Sequence, residues 1–392
     1  MNRGIIRTAG IAALSATMLL TGCGKMNPDS TLVTINTGDG TKDTISLGYG
    51  NFAARYQQAM YDQYMLAYYG EGMWKSDAMT NTGETFEEET KSSVLDEMEG
   101  QYLCKLHAAD YDIALTEEQT TAIADAAAQF IADNPAETIK EMGATEEYVK
   151  QYLEYRTYYS LVSDAAKEQA DADITEDDCW MRTFSYVVFD TTGKQDESGA
   201  MVQYTDDEVA AMKDQADQLA AADDFAATVE ELGVTSQNYS YLKGEEEDSD
   251  MDMVIIEAAE ALAEGETSSV IEIDGVGYYV INLTSDHDTD ASQTKRESLQ
   301  SEAFNTLLDT WKGQIVWKVN DKAWKQVKYD ALFKTPDETT EETTTEETTD
   351  TTATDETVDE TTDTTAEEQT EDTSDETSEE VTDESAEEAE AE

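Results

Sequence analysis

The chain has 392 residues and carries 24 Lys+Arg against 89 Asp+Glu, a formal net charge of −65. That length leaves room for two domains at roughly 100–200 residues each, while the charge repels nucleic acid and anionic lipid surfaces. His107 and His287 are the only histidines, which is too few for a histidine-rich metal site and argues against a Ser/His triad. From Asp337 onward there are 26 acidic residues and no basic ones, yet residues 1–336 still hold 63 acidic against 24 basic. The folded part is therefore acidic too, which leaves room for cationic ligands without naming one. Cys104 and Cys179 have no spacing that demands a disulfide, and two free, half-buried thiols are expected.

Residues 1–23 read as a targeting segment. Arg3 and Arg7 precede an apolar run over 10–20 that is too short for a permanent span. The run ends in Leu20-Thr21-Gly22-Cys23, which resembles the bacterial lipobox. That resemblance implies cleavage before Cys23, lipidation of its thiol and anchoring outside the cell membrane; an ordinary signal peptide with an incidental cysteine is the alternative. After a tether over 24–30, residues 31–35 and 44–47 flank Gly38-Asp39-Gly40 and read as a hairpin or as an edge strand doubling back. From Gly50 the period becomes helical, with Phe52, Tyr56, Met60, Tyr64 and Tyr68 recurring at i+4 as far as Gly70. A second helix is expected over 87–109. Thr116 with Gln119 forms a capping box for a third, and Tyr148, Tyr152, Tyr155 and Tyr159 run along a fourth over 145–169.

Val33-Thr34-Ile35-Asn36, followed by a helix containing Phe52, Ala54, Arg55, Tyr56, Gln57 and Gln58, is similar to the N-terminal chaperone region of the SurA/PrsA foldase family. The resemblance implies capture of unfolded polypeptides. Tyr56, Met60, Tyr64, Tyr152 and Tyr159 are the candidate client-binding residues, because tyrosine offers apolar area with a polar tip. Plain packing between helices explains the same rings equally well.

Residues 178–286 resemble a parvulin-type prolyl isomerase domain. The β-rich run over 182–189 matches its first strand, and Asp224-Phe225-Ala226 its D-F-A turn. Thr205 with Glu208 caps an intervening helix, and residues 237–242 occupy the place of a family loop. Ala258-Ala259-Glu260-Ala261-Leu262, Gly265-Glu266-Thr267-Ser268 and Gly277-Tyr278-Tyr279-Val280-Ile281 follow in family order. Asp274-Gly275 between the last two strands is a strong hairpin signal, and residues 245–252 form an acidic insertion. In the family a histidine pair on central strands orders the site, and a Met/Phe cleft takes the proline ring. By resemblance those histidine positions fall on Tyr186 and Tyr279, Met251 keeps the cleft methionine, Ile255 replaces the phenylalanine, and Tyr241 lines the same cleft. A tyrosine pair could hydrogen-bond across the sheet, but cannot reproduce a neutral imidazole pair. Retained fold with weak or lost catalysis is the expectation.

Residues 286–297 match an EF-hand loop except that Ala291 stands at the turn glycine, and they read better as a linker capping a helix over 294–317. No metal or cofactor is expected. After that helix residues 316–327 alternate enough for a strand or extended tail, and the SurA/PrsA resemblance implies that this element returns to the N-terminal domain and pairs with residues 31–35. Residues 335–392, Thr/Glu/Asp repeats, are too polar to offset the entropy of folding. The expected fold class is α+β: a mostly helical lobe from both chain ends (31–172 and 287–334), with an inserted parvulin-like unit over 173–286. Unfolded secreted polypeptides and the membrane, through Cys23, are the expected partners, with no nucleic acid and a homodimer left open. The leading function is a membrane-anchored extracytoplasmic foldase; an active prolyl isomerase and a surface adhesion or ligand-binding lipoprotein are the alternatives.

Overall fold

A computed structural model describes residues 15–16, 26–38, 40–195, 198–244 and 249–334. The proposed signal segment apart from its residues 15–16, Cys23, the middle of the acidic insertion and the Thr/Glu/Asp tail lie outside the described residues. The fold is α+β. Strand β1 (Thr31–Asn36) turns back into β2 (Lys42–Ser46). On its other edge β1 pairs antiparallel with the C-terminal strand, Trp317 opposite Ile35 and Val319 opposite Val33. One small sheet is thus built from the two ends of the described chain, as the sequence led us to expect. Its buried side presents Val33, Ile35 and Ile45 to the helices.

Helix α1 (Leu47–Tyr69) begins three residues before the Gly50 start read from its periodicity, with Ser46 accepting a hydrogen bond from the Tyr49 amide at 3.2 Å. Gly48 and Gly50 sit inside its first turn because close approach outweighs their poor helix propensity. A Cβ on Gly48 would come within 2.2 Å of the Tyr148 hydroxyl, and one on Gly50 within 2.2 Å of Leu32. Helices α2 (Phe86–His107), α3 (Glu117–Asp133), α4 (Ala136–Met142) and α5 (Glu146–Asp171) complete this layer. Capping boxes at Thr85/Glu88 and Thr116/Gln119 satisfy orphan amides at the starts of α2 and α3.

The chain then builds a four-stranded antiparallel sheet from β3 (Met181–Asp190), β4 (Gln237–Leu242), β5 (Ile271–Ile273) and β6 (Gly277–Ser285), in the order β4-β3-β6-β5. Period-two alternation sends Phe184, Ile281 and Leu283 to one face, against α8 (Met253–Glu260). Val187, Phe189 and Val280 go to the other, against α6 (Asp206–Ala220) and α7 (Phe225–Leu232). Gly275 has φ +75°, as the Asp-Gly turn requires.

Helix α9 (Thr289–Lys312) begins five residues before the expected 294, and ends before 317. Asp288 caps it, accepting from the amides of Asp290 (3.1 Å) and Ala291 (3.0 Å), so most of the EF-hand-like stretch is helix rather than loop. Both crossings between the sheets are tied together here. The Met181 amide donates to Ser292 (3.0 Å), Thr183 donates to Asp288 (2.7 Å), and Arg296 pairs with Asp171 at 2.5 Å. Next come β7 (Val316–Val319) and the short α10 (Asp321–Trp324), a helix where extended chain was expected, and a two-residue strand, Phe333–Lys334, ends the described chain.

A buried polar stripe on α1 receives the segment that follows. Arg55 donates to the carbonyls of Lys328 and Ala331, both at 2.9 Å, and to Glu141 at 3.1 Å. Gln58 donates to the Ala331 carbonyl (3.0 Å) and to Asp62 (3.1 Å). Asp62 accepts from the Trp74 indole at 2.8 Å and from the Phe333 amide at 2.9 Å. Burial lifts the Asp62 carboxyl from 3.8 to about 6 despite those donors. Between those values the folded state holds a proton that the unfolded chain has lost, so this contribution is full below pH 4 and is lost as pH rises through about 6. Asp62→Asn is expected to lower stability by about 1–3 kcal/mol, because an amide nitrogen would face N–H donors. Chemical denaturation across pH should show the native chain's advantage over this variant narrowing from pH 4 to above 6. An advantage that widens would mean the donors, not burial, set the carboxyl's proton affinity.

Candidate functional site: a stacked tyrosine pair on the central strands

Tyr186 and Tyr279 lie on the neighbouring strands β3 and β6. Tyr186 is registered with Ile281 and Tyr279 with Val188, so the two are diagonal neighbours. Their rings stack, with centroids 6.3 Å apart and an interplanar angle of 24°. The hydrogen bond that the pair was free to make across the strands is absent. Tyr186 instead donates its phenol to Gln237 on β4 at 2.7 Å. Burial, and then the neighbouring Tyr186, raise the proton affinity of the Tyr279 phenol, which keeps it neutral at ordinary pH. The pair is a flat aromatic shelf with a hydrogen-bond donor at its edge. It holds no acid–base couple.

The three residues assigned to the proline cleft lie in one cluster: Ile255 and Tyr241 are buried in it, and half-buried Met251 packs against it, as Tyr186 and Tyr279 do. The Tyr241 hydroxyl donates to Glu260 and accepts from Arg182 at 3.1 Å. Burial, with the Glu260 carboxylate beside it, raises the Tyr241 phenol well above its ordinary value. Arg182 is the centre of this arrangement: it lies 2.5 Å from Glu260 and 2.9 Å from Asp286, and donates to the Leu262 carbonyl at 3.3 Å. Sequence reasoning passed over Arg182. Its signal was a charged residue inside an otherwise β-rich run, whose burial calls for carboxylate partners.

The client-binding candidates do not form one surface. Tyr56 and Tyr152 pack against each other (5.2 Å) and against Phe52 and Phe130 inside the main core. Burial pushes the Tyr152 phenol up to about 12, and Arg156 donates to it at 3.0 Å. Tyr159 belongs to a second cluster, edge-on to Phe304 at 5.6 Å. Met60 is half-buried. Tyr64 is 66% exposed, and Tyr68 and Tyr69, which were not singled out as client-binding, are 85% and 59% exposed beside it. The i+4 spacing could not separate these faces, because α1 is aromatic on both.

Both histidines stack on tryptophans away from the tyrosine pair: His107 on Trp311 at 4.2 Å, His287 on Trp180 at 4.1 Å. Cys104 and Cys179 are free and buried, and burial pushes the Cys104 thiol up to about 12. Among the described residues no group of three or more His, Cys, Asp or Glu is gathered as a metal would require, and no helix is long and apolar enough to cross a membrane. A surface hollow of about 360 Å³ lies between the end of α5, β4 and α9, lined in part by Ile174, Leu242, Leu299 and Lys295.

No family model matches the chain. In sequence it is similar to the foldase protein PrsA of Clostridium botulinum (strain Loch Maree / Type A3), with 24% identity over 277 residues, 65% of this chain and 79% of that protein. The resemblance to PrsA/SurA-type foldases read from the motifs is thus present across most of the chain. Among solved structures it is similar to the foldase protein PrsA of Streptococcus pneumoniae str. Canada MDR_19A, at 17% identity and a TM-score of 0.27 over 60% of this chain and 88% of that one. It is also similar to the peptidylprolyl isomerase PrsA of Bacillus cereus, at 15% identity and 0.23 over 64% and 90%.

The two tyrosines separate packing from surface. Tyr241→Phe deletes a buried hydroxyl with two partners and is expected to cost about 1 kcal/mol. Tyr186→Phe deletes an exposed bond and should stay within about 0.5 kcal/mol of the native chain. Denaturation midpoints of the two variants check this, and equal losses would place the Tyr186 hydroxyl in a structural role.

Proposed function

We propose that this chain is an extracytoplasmic foldase, anchored to the bacterial cell membrane through lipid on Cys23, that holds secreted polypeptides while they fold and has weak or no prolyl isomerase activity. The similarity to a foldase protein supports the first part. The stacked Tyr186–Tyr279 pair, at the positions where the resemblance puts histidines, carries the second. Isomerisation breaks no bond but must lower a barrier of ~18–20 kcal/mol by favouring the twisted amide. A stacked phenol pair with one hydroxyl already committed to Gln237 supplies little that is specific to that twisted state.

In this reading residues 31–172 and 287–334 form one chaperone lobe and residues 173–286 an inserted isomerase-like unit. The pairing of β7 with β1 supports that division. Tyr64, Tyr68 and Tyr69, exposed together at the end of α1, suit unfolded apolar segments better than the packed Tyr56 and Tyr152. Tyr186, Tyr279 and Met251 remain the residues a proline-containing client would meet on the sheet.

The test is a protease-coupled proline isomerisation assay run beside suppression of aggregation of an unfolded client. Suppression without isomerisation is the expected result, and the Tyr64→Ser/Tyr68→Ser/Tyr69→Ser variant should weaken suppression without loss of fold. Tyr186→His with Tyr279→His is expected to raise isomerisation above the native chain. Native isomerisation that Tyr186→Phe and Tyr279→Phe abolish would return the protein to the enzyme class.

A further inference from the structure

Residues 1–336 hold more than twice as many acids as bases, yet residues 318–328 carry four lysines and one acid, Asp321. Lys318, Lys322, Lys325 and Lys328 are all exposed. Lys42 and Lys318 share the outer side of the first sheet, where Lys318 is registered with Thr34 and Thr44, and Val316 with Asn36, itself opposite Lys42; Lys322, Lys325 and Lys328 follow on α10 and the segment after it. Among the described residues none of these five lysines makes an ion pair. Of the nearby acids, Asp43 accepts from Tyr102 at 3.4 Å, Asp330 pairs with Lys75 at 3.4 Å and Glu88, close enough to Lys328 to feel its charge, accepts from Thr85, which leaves Asp321 as the acid within the segment.

The position of this face matters as much as its charge. Asn320 donates to the carbonyls of Leu32 (2.7 Å) and Thr31 (3.3 Å), which seats the lysine segment against the start of the first strand. Thr31 is eight residues from Cys23. At ~3.3–3.6 Å per residue a fully extended tether reaches no more than about 30 Å. We propose that Lys42, Lys318, Lys322, Lys325 and Lys328 form the face that lies against the anionic phospholipid headgroups of the membrane, so that the lipid anchor captures the chain and the lysines orient it. This rests on the anchoring read from Cys23. It also answers the objection that so acidic a protein should avoid lipid. The anchor supplies the attachment, and the rest of the surface, being repelled, points outward. Lysine's compact, strongly hydrated charge suits headgroups recognised by charge rather than by fork geometry.

The test supplies the anchor chemically, so that its failure is separate from failure of native lipidation, which acyl labelling of Cys23 in cells reads independently. The chain from Cys23 onward is coupled through that thiol to a maleimide-bearing lipid, Cys104 and Cys179 being buried. Lysine reactivity toward an amine-acylating reagent is then compared by mass spectrometry on phosphatidylglycerol and on phosphatidylcholine vesicles. The expected result is several-fold protection of the five lysines on phosphatidylglycerol only. Exposed Lys140 and Lys150 should react alike on both. Protection should vanish in 1 M salt, where screening acts within about 3 Å. Equal reactivity of the five on both vesicles, equal protection of Lys140 and Lys150, or protection that survives 1 M salt would each overturn the proposal.

Discussion

The position of the chain's final described segment depends on a stripe of three polar residues on one helix. Arg55, Gln58 and Asp62 are almost wholly buried, and between them they bind the carbonyls of Lys328 and Ala331 and the amide of Phe333. Lys91 adds the carbonyl of Val327 at 2.8 Å. Buried polar groups are costly unless fully partnered, and when they are partnered they admit one arrangement. An apolar stripe would hold a returning chain in many registers. This one reads backbone groups and fixes a single register. Three of the chain's cations, Arg55, Lys91 and Arg182, are spent inward in this way, Arg182 binding the Leu262 carbonyl beside Glu260 and Asp286 at the second sheet.

The two sheets share one connection in each direction, and both connections are cross-tied. Asp288 caps α9 and at the same time accepts from Thr183, while Ser292 receives the amide that opens β3. Arg296 and Gln300 reach back to Asp171 at the end of α5. Helix start, strand start and helix end are therefore parts of a single hydrogen-bonded group. The tyrosine pair sits on the sheet that this group positions.

Most of the architecture was legible in the residues. β-rich runs and i+4 patterns placed most strands and the long helices, the Thr116 and Thr205 capping boxes marked two helix starts, and Asp274-Gly275 marked the turn, whereas residues 237–242, set at the place of a loop, are strand β4 because β3 offers its edge to pair with. The misses have physical causes. The helical period was read from Gly50, three residues late, because nothing local shows that Tyr148 and Leu32 press against the backbone at Gly48 and Gly50 and admit no Cβ. The acid-rich stretch before α9 read as linker because nothing local shows that Asp288 has both a cap and a strand partner. At the candidate site the identities of Tyr186 and Tyr279 were available from resemblance, but not whether the rings would bond or stack. That is decided by Gln237 on a third strand. Burial of Tyr241 with Arg182 and Glu260 likewise needs three elements that are far apart in sequence.

The central position of β1 also has a consequence for the order of assembly. Its two partners are β2, six residues downstream, and β7, which arrives some 280 residues later. During synthesis or translocation the four-stranded sheet and its helices have all their residues available while β1 still presents one bare edge. Such an edge is a template for pairing with any extended chain. Long-range closure is slow because loop entropy is lost before the contacts that reward it form. The nested unit can complete itself first, and only the last described residues close the sheet that the first ones began. Truncation shortly before residue 316 would therefore leave an intact inner unit on an outer lobe with an open strand edge, a form prone to self-association rather than simple loss of activity.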